Sequence, residues 1–279
     1  MLTKLLETIR PLDENAMESA RLHWDAIAKP LHSLGRLEDM IVQLAGICEN
    51  PVPAPRKKAV LIFCADNGIV AEGVTQTTQD VTAAVTQNFA KGIASVNALS
   101  RICGTEVFPV DIGVAQALDC PGVLNRKVAF GTQNFAHGPA MRRDEAEQAV
   151  CTGIDLVQEK AAEGYNLIVT GEMGIGNTTT SSAVFSVLQG LPPEQVTGRG
   201  AGLSDAGLQH KIQVISRAVA ALQPDPGDVL DVLSKVGGFD VCGMMGAFLG
   251  GAICRVPVLV DGFISAVAAN CAVRLCPAC

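Results

Sequence analysis

Leu167-Ile168-Val169-Thr170-Gly171-Glu172-Met173-Gly174-Ile175-Gly176-Asn177-Thr178-Thr179-Thr180 is an apolar run that enters a glycine-rich turn. Ser181 to Leu188 then carry Ala183, Val184, Val187 and Leu188 at helical spacing, so the order is strand, loop, helix. Gly171, Gly174 and Gly176 let the backbone approach a ligand closely. The amides at the start of the following helix carry the positive end of its dipole, which favours a phosphate. Asn177 and the three threonines add side-chain donors. The steric alternative is a turn that merely joins a strand to a helix.

Two named phosphate motifs do not fit. A P-loop needs Lys after the last glycine, where Asn177 stands, and a dinucleotide fingerprint needs G-x-G-x-x-G where this chain has G-x-x-G-x-G. The loop also holds a carboxylate, Glu172, at the end of the strand where open α/β sheets bind ligands. An acid beside a phosphate-sized nest points to chemistry on a phosphorylated small molecule, against the alternative of a Glu that caps a nearby helix.

The same pattern recurs along the chain. Ala59 to Cys64 runs into Asp66-Asn67-Gly68, Thr105 to Val110 into Asp111-Ile112-Gly113, and Val256 to Val260 into Asp261-Gly262. Four apolar runs therefore end in Asp66, Asp111, Glu172 and Asp261, as expected of a parallel sheet with its polar groups along one edge. A polar loop from Glu72 to Gln79 precedes a helix marked by Val81, Val85, Phe89 and Ile93, and is either solvated or folded over a ligand. A second glycine-rich turn, Gly198-Arg199-Gly200-Ala201-Gly202, feeds a helix that Ser204 or Asp205 caps. Lys211 in that helix can reach back to an anion, although an exposed lysine is the commoner case. His137 reads as a structural loop residue more readily than as a general base.

Before Asn50 the pattern is helical, with Asp13 as an N-cap, Pro30 as a stop and Ser33 as the next cap. The expected fold is α/β: an open, mostly parallel Rossmann-like sheet flanked by helices over residues 56–279. The helices of residues 1–55 contribute to a smaller helical subdomain.

With 279 residues and 48% apolar content the chain can bury a sizeable core. Its 28 acidic and 21 basic residues give net charge −7, and one Trp and one Tyr make a poor base-stacking platform, which together argue against nucleic acid as a partner. The ten cysteines are expected to be reduced, because no secretory segment opens the chain, and Cys276-Pro277-Ala278-Cys279 lacks the frame of a redox motif. Val241 to Cys254 is too short to span a bilayer, and its Gly243, Gly246, Gly250 and Gly251 suggest close helix packing. No metal motif is present.

Lys29-Pro30-Leu31-His32-Ser33-Leu34-Gly35-Arg36-Leu37-Glu38, Ala65-Asp66-Asn67-Gly68-Ile69-Val70-Ala71-Glu72-Gly73-Val74, Gly171 to Thr179, Gly198-Arg199-Gly200 and Val260-Asp261-Gly262-Phe263-Ile264-Ser265 closely resemble the motifs of nicotinate-nucleotide:dimethylbenzimidazole phosphoribosyltransferases. The match runs from about Arg10 to the end. The resemblance implies transfer of the 5-phosphoribosyl group from nicotinate mononucleotide to 5,6-dimethylbenzimidazole, giving α-ribazole 5′-phosphate and nicotinate for the lower ligand of cobalamin. It also implies a cytoplasmic homodimer with no metal or organic cofactor.

Carried over by position, Gly174, Ile175, Gly176, Asn177 and Thr178 would hold the phosphate with Gly200, Gly202 and Lys211. Asp66 would belong to the substrate site, Asp261 would lie near the ribose, Gln79 near the benzimidazole and Glu172 at the reacting centre. The family runs on past the position matching Cys279, and the glutamate regarded as its proton acceptor lies there, in a G-E-G-type stretch that these residues do not contain. His32 also stands where the family usually has glycine. The reading beside an active transferase is a truncated, catalytically weak or silent nucleotide-binding homologue. A nucleotide-binding oxidoreductase would share the sheet but not the glycine pattern.

Overall fold

The computed structural model describes residues 2–279. It opens with α1 (Leu2–Leu6), whose Leu2 enters the main core, followed by α2 (Glu14–Ala26) and α3 (Arg36–Cys48). Asp13 caps α2, its carboxylate accepting from the Ala16 amide at 3.0 Å. The two helices pack through Ala20, Val42 and Ala45, a small cluster separate from the main core. Ser33 does not cap α3, which starts at Arg36 after Gly35 in a left-handed-side conformation (φ 53°). The Glu38 carboxylate ties the turn instead: it lies 2.9 Å from Lys29 Nζ and accepts from the Leu34 amide at 3.1 Å. α2 also ends at Ala26, ahead of Pro30.

The sheet follows. It has five parallel strands, β1 (Lys58–Ala65), β2 (Thr105–Gly113), β3 (Leu124–Asn125), β4 (Leu167–Met173) and β5 (Val258–Leu259), in the order β3-β2-β1-β4-β5. Four were legible as apolar runs; β3 is two residues long and carries no such signal. Parallel strands need crossovers, and except between β2 and β3, which a loop joins, helices supply them. These are α4 (Asp80–Ala90), α5 (Ser95–Cys103), α6 (Arg143–Ala162), α7 (Asn177–Gln189), α8 (Pro193–Val196), α9 (Asp205–Leu222), α10 (Val229–Val236), α11 (Phe239–Cys254) and α12 (Gly262–Leu275).

Alternation along β1 assigns the two faces. Ala59, Leu61, Phe63 and Ala65 point into the main core with α6 and α11, while Val60, Ile62 and Cys64 meet Ala83 and Phe89 of α4 and Val96 of α5. The glycines of α11 serve this interior. A Cβ on Gly246 would lie 2.0 Å from the Val150 carbonyl oxygen of α6, and one on Gly153 of α6 would lie 2.1 Å from that of Gly243. The whole run Phe239 to Gly251 is buried within the chain, so these glycines let two helices touch inside one protomer and do not form an interface between protomers.

Candidate active site

β1, β4 and β5 are neighbours, so their carboxyl ends bring Asp66, Glu172 and Asp261 to one edge of the sheet. The four strand-end acids then part ways. Asp111 is buried in an ion pair with Lys127 Nζ at 2.9 Å and accepts from the Val114 amide at 3.0 Å, which makes it a structural tie. Asp66 is buried and accepts from the Ala115 amide at 2.8 Å; burial raises its pKa. Asp261 is exposed. Its amide donates to Ser265 Oγ at 3.3 Å, and that hydroxyl lies 2.6 Å from Thr170 Oγ1 on β4, so the second half of the Val260-to-Ser265 motif holds the acid in place.

Glu172 is held by Asn177, whose Nδ2 donates to Glu172 Oε2. Burial raises the Glu172 pKa, the hydrogen bond from Asn177 lowers it, and the nearby charge of Asp261 raises it, with a net shift upward. Glu172 and Asp261 open onto a cavity of about 220 Å³ whose other walls include Val60, Ile62, Phe89 and Val169. Two acids thus face an apolar slot of a size suited to a flat aromatic ring.

The glycine turn is narrower as an anion nest than the sequence suggests. The amides of Asn177 and Thr179 donate to the carbonyls of Gly174 and Gly176 at 3.0 and 2.9 Å, and the Ile175 amide donates to Thr82 Oγ1 at 3.1 Å. Asn177 turns its side chain to Glu172, away from any phosphate. The amides of Gly176 and Thr178 have no partner among the described residues, and Thr178 Oγ1 sits 2.8 Å from Lys211 Nζ. Lys211 is fully buried; its other contact is the Gly198 carbonyl at 3.3 Å, and no carboxylate pairs with it among the described residues. Burial pushes its pKa down to about 8. Gly200 packs against the pair, a Cβ there lying 3.0 Å from Thr178 Oγ1. Gly176, Thr178, Gly200 and Lys211 therefore converge, from two separate glycine turns and the helices that follow them.

Gly202 and Gln79 sit at the rim. The Gly202 carbonyl accepts from Gln76 Nε2, which ties the second glycine turn to the polar loop, and Gln79 Nε2 donates to the Asn67 carbonyl at 3.2 Å. His137 is exposed and lies 3.2 Å from Glu72 on that loop, away from Glu172 and Lys211. Cys276 and Cys279 are free thiols. Among the described residues no three His, Cys, Asp or Glu side chains gather as metal ligands. Two residues escaped the sequence reading, Asn67 and Asp240, both wholly buried beneath the turn. The acid at the glycine-rich start of α11, in Gly237-Gly238-Phe239-Asp240, was the available signal.

Gly176 has φ 93°, and a Cβ there would meet Val70 Cγ2 at 2.8 Å. Gly176→Val is strained twice, in backbone and in packing, and must displace the turn. Calorimetry should show loss of nucleotide affinity by at least about 30-fold, the scale of roughly 2 kcal/mol; unchanged affinity would remove the turn from the site.

Among known proteins, a family described as phosphoribosyltransferase (DBI_PRT) matches residues 9–279. The nicotinate-nucleotide–dimethylbenzimidazole phosphoribosyltransferase of Acetivibrio thermocellus is 51% identical over 277 residues, covering 99% of this chain and 79% of that protein. The protein of the same name from Ruminiclostridium cellulolyticum is 49% identical over 98% of this chain and 78% of its own length. The crystal structure of CobT from Thermus thermophilus superposes with a TM-score of 0.89 at 40% identity, over 94% of this chain and 79% of that one.

Proposed function

The chain belongs to the nicotinate-nucleotide–dimethylbenzimidazole phosphoribosyltransferase family, and from that premise we propose how its residues carry the transfer. The 5-phosphoribosyl group passes from nicotinate mononucleotide to 5,6-dimethylbenzimidazole, forming α-ribazole 5′-phosphate and nicotinate. One observation carries the assignment of the phosphate: Lys211, a fully buried cation without an anion, faces Thr178 and the free amides of the glycine turn. A buried charge is costly unless paired, and a phosphate pairs it.

With the phosphate there, the ribose extends toward Glu172 and Asp261, and the benzimidazole lies on the apolar wall of Val60, Ile62, Phe89 and Val169. A ring nitrogen of the benzimidazole attacks the anomeric carbon as the bond to the pyridinium nitrogen breaks, and that electron pair leaves on the ring nitrogen of nicotinate, now an uncharged pyridine. Positive charge builds at the anomeric carbon, where two carboxylates favour it. The benzimidazole N–H proton passes to a base, and Glu172, with its raised pKa, is the acid of this chain placed to receive it. The balance closes without a redox or carrier group. The test is direct: the protein, nicotinate mononucleotide and dimethylbenzimidazole are incubated together, and equal amounts of nicotinate and α-ribazole 5′-phosphate are expected by chromatography. Absence of both products, with both substrates shown to bind, would overturn the reading. With Glu172 and Lys211 in place, no observation favours a silent homologue.

The same reading extends to assembly and setting. The turn before α3 and the first turns of that helix leave Leu31, Leu34, Leu37 and Met40 exposed by 47–65%, apolar groups suited to burial against a second copy of the chain. A homodimer is expected by sedimentation, and Leu37→Glu should shift it to monomer. No helix of the described residues is long and apolar enough to cross a membrane. The separate cluster of Ala20, Val42 and Ala45 supports treating residues 1–55 as a helical subdomain beside the α/β unit of residues 56–279, with α1 packed on the latter.

A further inference from the structure

Beneath the phosphate turn lies an acid that the transfer as described leaves unused. Asp240, the second residue of α11, has no exposed surface. One oxygen, Oδ1, accepts from the Val241 amide at 2.9 Å, and Oδ2 has no donor. Asn67, at the end of β1, lies alongside. A Cβ on Gly174 would sit 2.8 Å from Asp240 Oδ2 and 3.0 Å from Asn67 Nδ2; one on Gly238 would sit 2.5 Å from both Asp240 Oδ1 and Asn67 Oδ1. The carboxyl and the carboxamide therefore stand side by side in a slot that exists because both walls are glycine. Asn67 is in turn the support of the turn: its Nδ2 reaches the Ile175 carbonyl at 3.4 Å, and its Cβ is 3.3 Å from where a side chain on Gly176 would begin.

Asn67 Oδ1 is also without a donor. At Gly174 the Asp240 Oδ2 lies by Asn67 Nδ2 and at Gly238 the two Oδ1 atoms lie together, so an ionised Asp240 sets one acceptor against another, and a buried acceptor without a donor is destabilising. A single proton on Asp240 relieves both, because the carboxyl O–H then donates to Asn67 Oδ1 while the amide N–H serves the remaining carboxyl oxygen. The charged surroundings act in the same direction. β4 contributes the Glu172 charge and α11 itself the Cys242 thiol, while Asp66, just past β1, turns its carboxylate to the Ala115 amide. α6 and α12 meet α11 through Val150, Ile154, Ala268 and the Cys271 thiol, none of them a cation. Burial first, and the Glu172 charge second, push the Asp240 pKa up to about 7, against the Val241 amide and the Asn67 carboxamide, which favour the charged form. Lys211 contacts Thr178 and Gly198 and does not reach Asp240.

We propose that Asp240 is a positioning residue that works as a neutral acid: its proton fixes Asn67 against the Gly174 to Gly176 turn, and its ionisation sets a second buried negative charge beside Glu172 that opposes the nucleotide phosphate. This rests on the assignment of that turn to the phosphate. The wild-type enzyme then binds nicotinate mononucleotide less well as pH rises through neutrality, and Asp240→Asn, which keeps the shape and a hydrogen-bond donor, removes the dependence.

Two measurements test it. Infrared spectroscopy of the ligand-free protein should show the carbonyl stretch of a protonated carboxyl at pH 6 that fades by pH 8 and is missing in Asp240→Asn. Calorimetry at pH 6 and pH 7.5, below most of the Lys211 titration, gives the ratio of wild-type to variant dissociation constants. This ratio cancels the second ionisation of the phosphate itself, and it should rise about fourfold for a single group titrating near neutrality. A missing band, or a flat ratio with the nucleotide bound, overturns the proposal. Loss of all nucleotide binding by the wild type would instead overturn the phosphate assignment, and the infrared result would still decide the protonation of Asp240. If Asp240→Asn does not fold, Asn67→Ala takes its place: it removes the acceptor of the proton, so the band should shift, and an unshifted band counts against the proposal.

Discussion

Lys211→Met is expected to weaken nicotinate mononucleotide binding by at least about 100-fold, roughly 2.7 kcal/mol, while leaving the protein as stable as before or more so. The two effects have one cause. Lys211 is fully buried with Thr178 Oγ1 and the Gly198 carbonyl as its contacts, and no acid offsets its charge. Its pKa falls from 10.5 to about 8 because the folded protein disfavours the charged form. The unfolded chain therefore holds this proton more tightly. The cost to stability is fully present below pH 8 and fades as pH rises from about 8 to 10.5, and at neutral pH it is on the order of 3 kcal/mol. Methionine matches the length of the stem and removes the charge, so much of that cost goes with it.

The check is thermal unfolding with and without nucleotide. Wild type should gain stability on adding the nucleotide and the variant should not. Between pH 8 and 10 the difference in stability between variant and wild type should shrink. The difference is the quantity to follow, because the buried thiols of Cys64 and Cys271, pushed up to about 12, destabilise both proteins in that range. A variant that is less stable at neutral pH and still binds would show that Lys211 is paired by something other than substrate.

The sheet was legible because buried parallel strands are written as unbroken apolar runs, and Ala59 to Cys64 and Leu167 to Val169 are of that kind. Each run's terminal acid was equally plain. What the acids do was not. Asp111 and Glu172 follow the same pattern, yet one is neutralised by Lys127, sixteen positions further on, and the other by no cation. The difference depends on which loop folds over which strand end, and no local spacing records it. The glycines of α11 were read as a contact surface and that much is right, but whether the contact lies inside one chain depends on the complementary Gly153 of α6. Lys211 resembles any lysine on a helix flank; only the position of Thr178 and Gly200 over it makes it the cation of the candidate site. Acids placed at the end of a strand were legible from the sequence, whereas Asn67 and Asp240, which lie against each other beneath the turn, were not.

Glu172→Gln should lower turnover by about 10²- to 10⁴-fold, the range for loss of a positioned base, with nucleotide affinity held within a few-fold because the phosphate contacts are elsewhere. The size of the fall does not by itself distinguish a base from a charge that steadies the anomeric carbon, and pH does. A base must be ionised to act. Burial, and then Asp261, raise the Glu172 pKa above its ordinary 4.5, so the wild-type rate should fall on the acid side at a pH above the usual carboxylate range. In Glu172→Gln the residual rate should lack that limb.

The neighbours supply the sign. Asp261→Asn removes a charge that raises the pKa and should move the limb to lower pH, whereas Asn177→Ala removes the hydrogen bond that lowers it and should move the limb to higher pH. Opposite displacements from two residues on either side of one carboxylate are what a titrating Glu172 requires. A limb that stays in place in both variants would assign the proton to another group, and would leave Glu172 with the electrostatic role alone.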